Sequence, residues 1–303
     1  MADIATAEKI NLEEVGRFFE NKGYQVIKLE QIWRHVTGVV KHENEKLFLK
    51  LASTLDIGQR TRNECGWNIN MNSAWNKVAR DFRVPKVFDE GVYKDKYWYV
   101  VENVFGKPLV EIGKGKQEIS EVDLDRAAMI AKNILAITDN CLLPKDQERA
   151  REIWVNRLPI ISKQRAEMVK TKTKALLKYI EKEAVNAQVG VSHGDFVPWH
   201  ILKTEKGGYF LIDAEHSSVM GLRFYDVAYF YHRVYTKLKR PDLAEYFLNK
   251  FKEVYKWSEA DEKAFRPVLA SRILGGYFDG ESDSVTSMEL NKEMEGKLLG
   301  AKE

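Results

Sequence analysis

The stretch from residue 191 to residue 230 constrains the fold and the chemistry of this chain more than any other. It begins V-S-H-G-D-F-V-P-W-H and continues through a Gly-Gly turn to Y-F-L-I-D-A-E. The short apolar run 209–212 predicts a β-strand that ends at Asp213 and Glu215. Asp195 precedes Asp213 by eighteen residues and lies in a tight loop after an apolar segment. The pattern therefore predicts two carboxylates, in a loop and at a strand end, that a hairpin joins.

A loop carboxylate and a strand-end carboxylate joined in this way can face one cleft. Phosphoryl transfer uses such a pair, because one carboxylate positions the acceptor hydroxyl and the other holds the magnesium ion that bridges the phosphates. The alternative is that Asp195 and Asp213 are ordinary solvated or turn-capping acids of an unrelated α/β domain.

The same residues resemble the catalytic segment of the aminoglycoside phosphotransferase and choline kinase-like family, which has a protein kinase-like fold. That family's loop reads H-G-D-x-x-x-x-N, and an I-D-x-E or I-D-x-D motif and a D-[IVL]-A stretch follow it. This chain has H-G-D at residues 193–195, I-D-A-E at 212–215 and D-V-A at 226–228. His200 stands where the family has the asparagine that helps to hold a metal ion.

The resemblance implies an α+β fold of two lobes. The small N-terminal lobe, residues 1–104, would bind nucleotide with an antiparallel sheet and one main helix. The larger and mostly helical lobe, residues 105–303, would carry the catalytic loop and the acceptor site. Apolar patterns in the first lobe predict a helix at 11–19 and a second helix from 56 to about 79, in which Trp67, Met71 and Trp75 share one core-facing side. Strands are predicted at 24–29, 32–40, 47–51, 84–88 and 97–101.

A lysine in the middle of an apolar strand is the first candidate outside the loop. Lys50 alternates with leucines, and a buried lysine without a partner is unfavourable. In the kinase-like fold this strand carries the lysine that contacts the α- and β-phosphates, and a helix glutamate pairs with it. Glu64, fourteen residues later, is the expected partner. The alternative is an edge-strand lysine that points to solvent.

The resemblance assigns the remaining nucleotide contacts by position. The chain lacks the G-x-G-x-x-G loop of protein kinases, so Gly38 and the backbone around it are expected either to donate N–H groups to phosphate or to form a plain β-turn. The segment from Val101 to Val104 resembles the connector whose backbone contacts adenine, with Glu102 and Val104 as the expected binding positions. The expected nucleotide is ATP, with GTP as an alternative.

The resemblance also assigns the metal ligands and the residues that support the loop. Asp213 would bind Mg²⁺, with Glu215 as a secondary ligand. His200 would either bind a second metal, which favours Mn²⁺, or fill space beside a single ion. His193 is expected to fix the loop conformation, and Asp226 to hydrogen-bond the loop or cap the helix that begins near residue 225.

Composition agrees with a globular enzyme. The chain has 303 residues, of which 44% are hydrophobic and 31% charged, and its formal net charge is +3. This charge is too small to indicate nucleic-acid binding, and the sequence contains no run long enough to span a membrane. The first residues lack the pattern of a signal peptide, and Cys65 and Cys141 have no disulfide-framework spacing, so we expect a cytoplasmic protein with reduced cysteines.

These patterns predict a small-molecule kinase that transfers the γ-phosphoryl group of ATP to a hydroxyl of a sugar, amino sugar, amino alcohol or related metabolite. Asp195 would orient and partly deprotonate that hydroxyl. The alternative is a catalytically impaired kinase-like protein that binds nucleotide or a partner. The acids of segment 277–283 are expected either to meet a cationic acceptor or to form a solvated loop. The sequence carries no signal from which a protein partner or an oligomeric state can be read.

Overall fold

The computed structural model describes residues 7–73, 81–111 and 119–300, which form two compact units. The first unit contains residues 1–77, 82–107 and 202–217, and the second contains residues 78–81, 108–201 and 218–303. The first residues of the chain, Trp75 and the predicted helical segment 74–79 lie outside the described residues. The lobe boundary at residues 104 and 105 stays a prediction.

A five-stranded antiparallel sheet forms the centre of the first unit. Its strands follow the order β1-β2-β3-β5-β4. Their bounds are β1, Gln25–Ile32; β2, His35–His42; β3, Glu45–Ala52; β4, Val87–Tyr93; and β5, Lys96–Glu102. The predicted strand 47–51 lies within β3 and the predicted strand 97–101 lies within β5.

One helix packs on each face of this sheet. Helix α1, Leu12–Asn21, is capped by Asn11, whose side chain accepts two backbone N–H groups of the first turn. The helix buries Phe19 in one hydrophobic cluster with Trp98. Helix α2, Leu55–Asn72, is capped by Thr54, whose side chain accepts the backbone N–H of Ile57. It buries Trp67 and Met71, as the sequence predicts. Both faces of the sheet are therefore covered by apolar side chains.

Three details of the predicted strands are wrong. The predicted strand 32–40 is interrupted, because β1 ends at Ile32 and a turn at Trp33 and Arg34 leads into β2. The predicted strand 84–88 starts too early, since β4 begins at Val87. Gly38 does not form a β-turn; it lies inside β2 and pairs with Leu29 and Leu49.

Close packing, and not a turn, explains why position 38 requires a glycine. A Cβ atom on this residue would lie 2.3 Å from the carbonyl oxygen of Lys28. Because β2 is an inner strand of the sheet, its backbone N–H groups are directed to neighbouring strands. The structure therefore gives Gly38 a role in close strand packing, and the phosphate contact stays an untested prediction.

A short hairpin after residue 200 carries the second part of the first unit. Strands β6 (Lys107–Pro108), β8 (Ile201–Lys203) and β9 (Tyr209–Leu211) form a sheet in the order β6-β8-β9, and Gly207 has a positive φ of 78° in the turn between β8 and β9. Arg83 pairs with β9 through two backbone hydrogen bonds, which joins this hairpin to the first unit.

The second unit is mostly helical, as the sequence predicts. Its helices are α3, Glu121–Cys141; α4, Pro144–Ala166; α5, Lys174–Glu183; α6, Tyr225–Thr236; α7, Pro241–Tyr255; α8, Glu259–Ser282; and α9, Met288–Gly300. Strands β7, Val189–Ser192, and β10, Ser218–Leu222, pair antiparallel. Short 3-10 helices lie at Ala184–Asn186 and Pro198–His200.

Aromatic side chains fill the core of the second unit. Phe230 of α6 packs against Phe247 of α7 with ring centroids 4.2 Å apart, and Phe196 packs on the same ring of Phe230. Residues 277–282 belong to α8, so the expected solvated loop there is wrong. Among the helices that the structure describes, none is long and apolar enough to cross a membrane.

Candidate active site

A buried lysine connects the sheet of the first unit to two acids. The Nζ atom of Lys50 donates to Glu64 at 2.6 Å and to Asp213 at 3.0 Å. Burial lowers the pKa of Lys50, but the two carboxylates outweigh it and raise that pKa, so the ammonium stays charged. The structure thus pairs Lys50 with Glu64, as the spacing suggests, and adds Asp213 as a second partner.

Asp213 projects from an unusual backbone conformation. It follows strand β9 with a φ of 66°, in the left-handed region that few residues other than glycine adopt. Aspartate tolerates this region better than most residues do, because its short side chain can bond locally. One third of the Asp213 side chain is exposed, whereas only 11% of the Lys50 side chain is. The Asp213 carboxylate therefore stays accessible while the lysine holds one of its oxygens.

His35 contributes no positive charge beside this group. It is buried, and its ring nitrogen Nε2 lies 3.1 Å from the hydroxyl of Thr61. Burial and the positive charges of Lys50 and Arg34 lower the pKa of His35 to about 3. Lys50 and Arg34, and not His35, therefore supply positive charge here at neutral pH.

A second ion pair joins the β1–β2 turn to the segment after Asp213. The guanidinium of Arg34 pairs with the Glu215 carboxylate, whose side chain is only 3% exposed. Asn63 of α2 fixes the same segment by donating to the backbone carbonyls of Glu215 and Ser217. Arg34 also lies 4.5 Å from the ring of Trp33. Glu215 is therefore held as an internal anion, and Arg34 is its main cation.

The loop that carries Asp195 is fixed by one buried carboxylate of the same unit. Asp226 accepts the backbone N–H of His193 at 2.7 Å and the N–H of Gly194 at 2.9 Å. Gly194 has a φ of 82°, which only glycine adopts easily. Asp226 therefore bonds the loop, the first of the two roles that the sequence leaves open for it. His193 is fully buried, and its Nδ1 faces the N–H of Asp195 at 3.4 Å.

His200 turns back toward the loop that precedes it. Its Nδ1 atom lies 2.9 Å from the backbone carbonyl of Asp195 and 3.5 Å from the carboxylate oxygen Oδ2. A carbonyl oxygen accepts only, so Nδ1 carries a proton in this contact and Nε2 holds the ring's lone pair when the imidazole is neutral. This tautomer leaves Nε2 as the atom with metal-ligand chemistry.

The predicted adenine connector lies where β5 ends. Glu102 is the last residue of β5, and its side chain lies 3.5 Å from Arg83 and accepts the backbone N–H of Lys86. Val104 follows without regular secondary structure. Backbone recognition of a base leaves no side-chain signature, so these two positions stay predictions.

Two ion-pair groups are absent from the sequence predictions. Arg34 pairs with Glu215 across 181 positions of sequence, and neither motif nor periodicity connects them. Arg233 on α6 and Arg272 on α8 share the carboxylate of Asp279. A signal for Arg233 does exist, since Tyr225, Tyr229 and Arg233 are spaced by four residues on one helix.

Comparison with known proteins decides the family. Residues 73–262, more than half of the chain, match the model of the family described as "Phosphotransferase enzyme family", abbreviated APH. The chain belongs to this phosphotransferase family. The match includes both the H-G-D loop and the I-D-A-E segment, and it confirms the resemblance to aminoglycoside phosphotransferases and choline kinase-like proteins. No curated protein sequence matches the chain significantly.

Solved structures confirm the kinase-like α+β fold of this phosphotransferase family member. A thermostable mutant of the aminoglycoside phosphotransferase APH(4)-Ia, in complex with ADP and hygromycin B, superposes with a TM-score of 0.64 at 15% identity, covering 96% of this chain and 100% of that one. An ethanolamine kinase of Plasmodium vivax gives 0.57 at 14% identity, with coverages of 98% and 92%. Choline kinase LicA of Streptococcus pneumoniae gives 0.55 at 14% identity, with coverages of 96% and 99%.

Proposed function

We propose that this protein is a small-molecule kinase that transfers the γ-phosphoryl group of ATP to an alcohol. The observation that carries the proposal is the Lys50 ammonium, which is bound by both Glu64 and Asp213 in the first unit. A buried cation held beside an accessible carboxylate suits a phosphate chain and the metal ion that neutralises it. Membership of the phosphotransferase family supports the same chemistry.

Asp195 is the proposed catalytic residue. In the transfer step the acceptor hydroxyl oxygen forms a bond to the γ-phosphorus, the bond from that phosphorus to the β–γ bridging oxygen breaks, and ADP leaves. The hydroxyl proton passes to the Asp195 carboxylate. Asp226 supports this residue by fixing the backbone of the two residues before it. In such reactions the protein contributes mainly positioning and charge neutralisation.

The residues that would hold a metal ion fit Mg²⁺ at Asp213. A carboxylate oxygen is the hard ligand that Mg²⁺ prefers, and this ion needs few protein ligands because it keeps several waters. Bound there, Mg²⁺ would neutralise charge on the transferring phosphates. Glu215 as a secondary ligand would have to exchange its pairing with Arg34 for the ion. His200 remains the candidate for a second, softer ion through Nε2.

The proposed function requires two substrates, a nucleotide that donates the phosphoryl group and an alcohol that accepts it. ATP, or GTP in its place, would contact Lys50 through its phosphates and the connector from Val101 to Val104 through its base. The similar structures of a complex with ADP and hygromycin B, of an ethanolamine kinase and of a choline kinase support nucleotide and alcohol chemistry as the general class. The second candidate, a binding protein without efficient transfer, is favoured by His200 at the family's asparagine position.

The deciding experiment combines nucleotide binding with transfer. Thermal unfolding is measured with and without millimolar Mg·ATP or Mg·GTP, and transfer of labelled γ-phosphate is screened against sugars, amino sugars, amino alcohols and sugar acids. Asp195→Ala should bind ATP and lose transfer, whereas Asp242→Ala, at an exposed helix terminus, should keep both. Binding without transfer to any acceptor would favour the second candidate. The absence of any nucleotide-induced shift would contradict both.

A further inference from the structure

One face of helix α6 in the second unit carries aromatic and cationic side chains at four-residue intervals. Tyr225, Tyr229 and Arg233 follow one another along this face, and Lys237 continues the spacing just after the helix ends. The rings of Tyr225 and Tyr229 stack with centroids 5.7 Å apart and an interplanar angle of 14°. Lys237 lies 5.7 Å from the ring of Trp199. Cations and aromatic rings therefore share one surface of this unit.

The ring of Tyr229 is already bound by cations. The guanidinium carbon of Arg272 lies 4.8 Å from its centroid and that of Arg233 lies 4.9 Å from it. Arg233 also donates to the Tyr229 hydroxyl at 3.0 Å. An aromatic ring that attracts ammonium groups in other proteins is here occupied by two arginines. A cationic acceptor approaching Tyr229 would meet like charge instead of an open aromatic face.

Helix α6 packs directly against the loop that carries Asp195: Asp226 binds the backbone N–H groups of the two residues before Asp195, and the ring of Phe196 lies 5.3 Å from that of Phe230, the neighbour of Tyr229. Burial and the negative charge of Asp195 raise the pKa of Tyr229. Tyr229, Arg233 and Arg272, here called the arginine–tyrosine cluster, therefore belong to the surroundings of the proposed catalytic residue within its own unit.

The acids of segment 277–283 are used internally and do not form an open acidic patch. Asp279 pairs with Arg233 at 3.0 Å and with Arg272. Glu281 accepts the backbone N–H groups of Lys170 and Thr171. Asp283 accepts the N–H groups of Val285 and Thr286, and it lies 3.4 Å from Lys237. These contacts remove the basis for a cationic acceptor at this segment.

The two arginines have binding capacity that their protein partners do not use. Both are more than nine-tenths buried, with 7% exposure for Arg233 and 6% for Arg272. Among the residues that the structure describes, the Nε atom of each arginine has no hydrogen-bond acceptor. Two guanidinium groups share the single carboxylate of Asp279, and poorly solvated charge acts strongly on its surroundings. The two guanidinium groups therefore retain N–H donors for which Asp279 offers no acceptor.

We infer that the acceptor alcohol carries an anionic group, a carboxylate or a phosphate, which the arginine–tyrosine cluster attracts while the hydroxyl faces Asp195. This rests on the proposed phosphotransferase function and assigns its acceptor class. Tyr229 of the cluster is partly exposed, and so is Asp279, the acid that the two arginines share. The anionic group would lie beside Arg233 and Arg272, whose two positive charges share the one carboxylate of Asp279.

The test compares acceptors that differ in charge within two series, one of six-carbon sugars and one of short alcohols. Transfer from Mg·ATP is measured for D-glucosamine, D-glucose, D-gluconate and D-glucose 6-phosphate, and for ethanolamine, glycerol and D-glycerate. We expect kcat/KM for an anionic acceptor to exceed that of its neutral and cationic counterparts by about tenfold or more, the size of one favourable charge contact. The gluconate and sugar-phosphate arms separate a carboxylate from a phosphate as the recognised group.

Two variants test whether the cluster causes this preference. Asp279→Asn keeps both arginines and removes the acid that they share, so the anionic preference should rise by about threefold or more with the KM for ATP unchanged. Asp242→Asn, the matched control, should leave the preference unchanged, because that acid is exposed and pairs with Arg240. A purely structural role of Asp279 would lower activity toward all acceptors equally.

Each result of this test has a defined meaning. Preference for neutral or cationic acceptors, an unchanged preference in Asp279→Asn, or no phosphorylation of any anionic acceptor while Mg·ATP raises the melting temperature would overturn the inference. These outcomes leave the proposed kinase function standing where any acceptor is phosphorylated. If Mg·ATP does not bind, the proposed function itself fails, and thermal unfolding detects that separately.

Discussion

The carboxylate of Asp226 accepts the backbone N–H of His193 at 2.7 Å, and its second oxygen accepts the next N–H in the chain. A residue in the first turn of α6 thereby sets the backbone that delivers Asp195. Asp226 is 5% exposed, so these two bonds replace the hydration that burial removes. The D-V-A motif is thus a loop support and not only the start of a helix.

This arrangement gives Asp226 a pH-dependent effect on stability. Burial raises the pKa of Asp226 to about 7, although the two N–H donors act in the opposite direction. An unfolded aspartate titrates near 3.9, so between roughly pH 4 and pH 7 the folded state binds more protons and Asp226 lowers stability as pH rises. In Asp226→Asn this contribution should be absent, and the amide can accept only through one oxygen, at a cost of about 1–3 kcal/mol.

Urea unfolding at pH 4.5, 6.0 and 7.5 checks the prediction. The difference in free energy of unfolding between wild type and Asp226→Asn should shrink as pH rises, by an amount on the order of 1 kcal/mol per pH unit. Asp242→Asn, at an exposed position, serves as the control. A constant difference across this range would show that Asp226 is ionised throughout.

Asp195 should affect turnover much more than nucleotide affinity. Asp195→Asn keeps the size of the side chain and removes the base that receives the acceptor proton. Turnover is expected to fall roughly 10²-fold or more while the dissociation constant for ATP changes only a few fold. Steady-state kinetics and calorimetric titration of Mg·ATP measure the two quantities. Near-normal turnover in a variant with an intact circular dichroism spectrum would remove Asp195 from the mechanism.

Lys50 and Asp213 should separate the nucleotide and metal parts of ligand-induced stabilisation. Millimolar Mg·ATP should raise the melting temperature of the wild type, because a ligand that binds only the folded state stabilises it. Asp213→Ala should remove most of the metal-dependent part of this shift, and Lys50→Met should weaken the part that ATP gives alone. Lys250→Met, at a partly exposed helix position where the lysine pairs with Glu253, is the matched control.

Lys50→Met also has a cost that does not involve a ligand. Glu64 is 5% exposed and would lose its cation, and removing one partner of a buried ion pair destabilises by roughly 3–5 kcal/mol. Adding Glu64→Gln should recover part of this loss. Nucleotide shifts are therefore compared with each variant's own melting temperature. Equal shifts in Lys50→Met and wild type would contradict a phosphate contact.

The ion pair of Arg34 and Glu215 predicts strong coupling between two distant segments. Arg34→Met should destabilise the protein because it leaves the Glu215 carboxylate buried without its guanidinium partner. Arg34→Met combined with Glu215→Gln should be more stable than Arg34→Met alone, and a double-mutant cycle gives the coupling energy. Additive effects in chemical denaturation would show that Glu215 does not depend on Arg34.

The three motifs of the candidate site and Lys50 can be predicted from the sequence because their signals are local. H-G-D, I-D-A-E and D-V-A lie within a few dozen residues, and Lys50 is recognisable as a polar residue inside an apolar strand. The strand after β1 is predicted to begin too early, because the turn falls at Trp33. This residue adopts a φ of 50°, although tryptophan gives no turn signal in the sequence. Gly38 gives a turn signal in the sequence, but it lies in a strand, where the close approach of the Lys28 backbone leaves no room for a side chain.

The remaining contacts depend on tertiary structure. Arg34 and Glu215 are neighbours only in the tertiary structure, where the turn between β1 and β2 meets the segment after β9. Nothing in their spacing along the sequence relates them. Asp279 reads as part of an acidic surface in the sequence, whereas the structure surrounds it with Arg233 and Arg272. Charge in a linear segment therefore does not predict the charge that a ligand meets.

His200 tests whether the departure from the family pattern changes the metal ion. Its Nδ1 atom is engaged by the carbonyl of Asp195, so Nε2 is the atom that could bind a metal. If it does, transfer should be faster with Mn²⁺ than with Mg²⁺, and His200→Asn should shift the preference toward Mg²⁺, because an amide oxygen is a harder ligand than imidazole. If Asp213 holds a single ion instead, His200→Ala should leave the ratio of the two rates unchanged. We expect the single-ion outcome, since Mg²⁺ retains several waters and needs few protein ligands. Complete loss of transfer in His200→Asn, with fold and ATP binding preserved, would show that the imidazole itself takes part in the reaction.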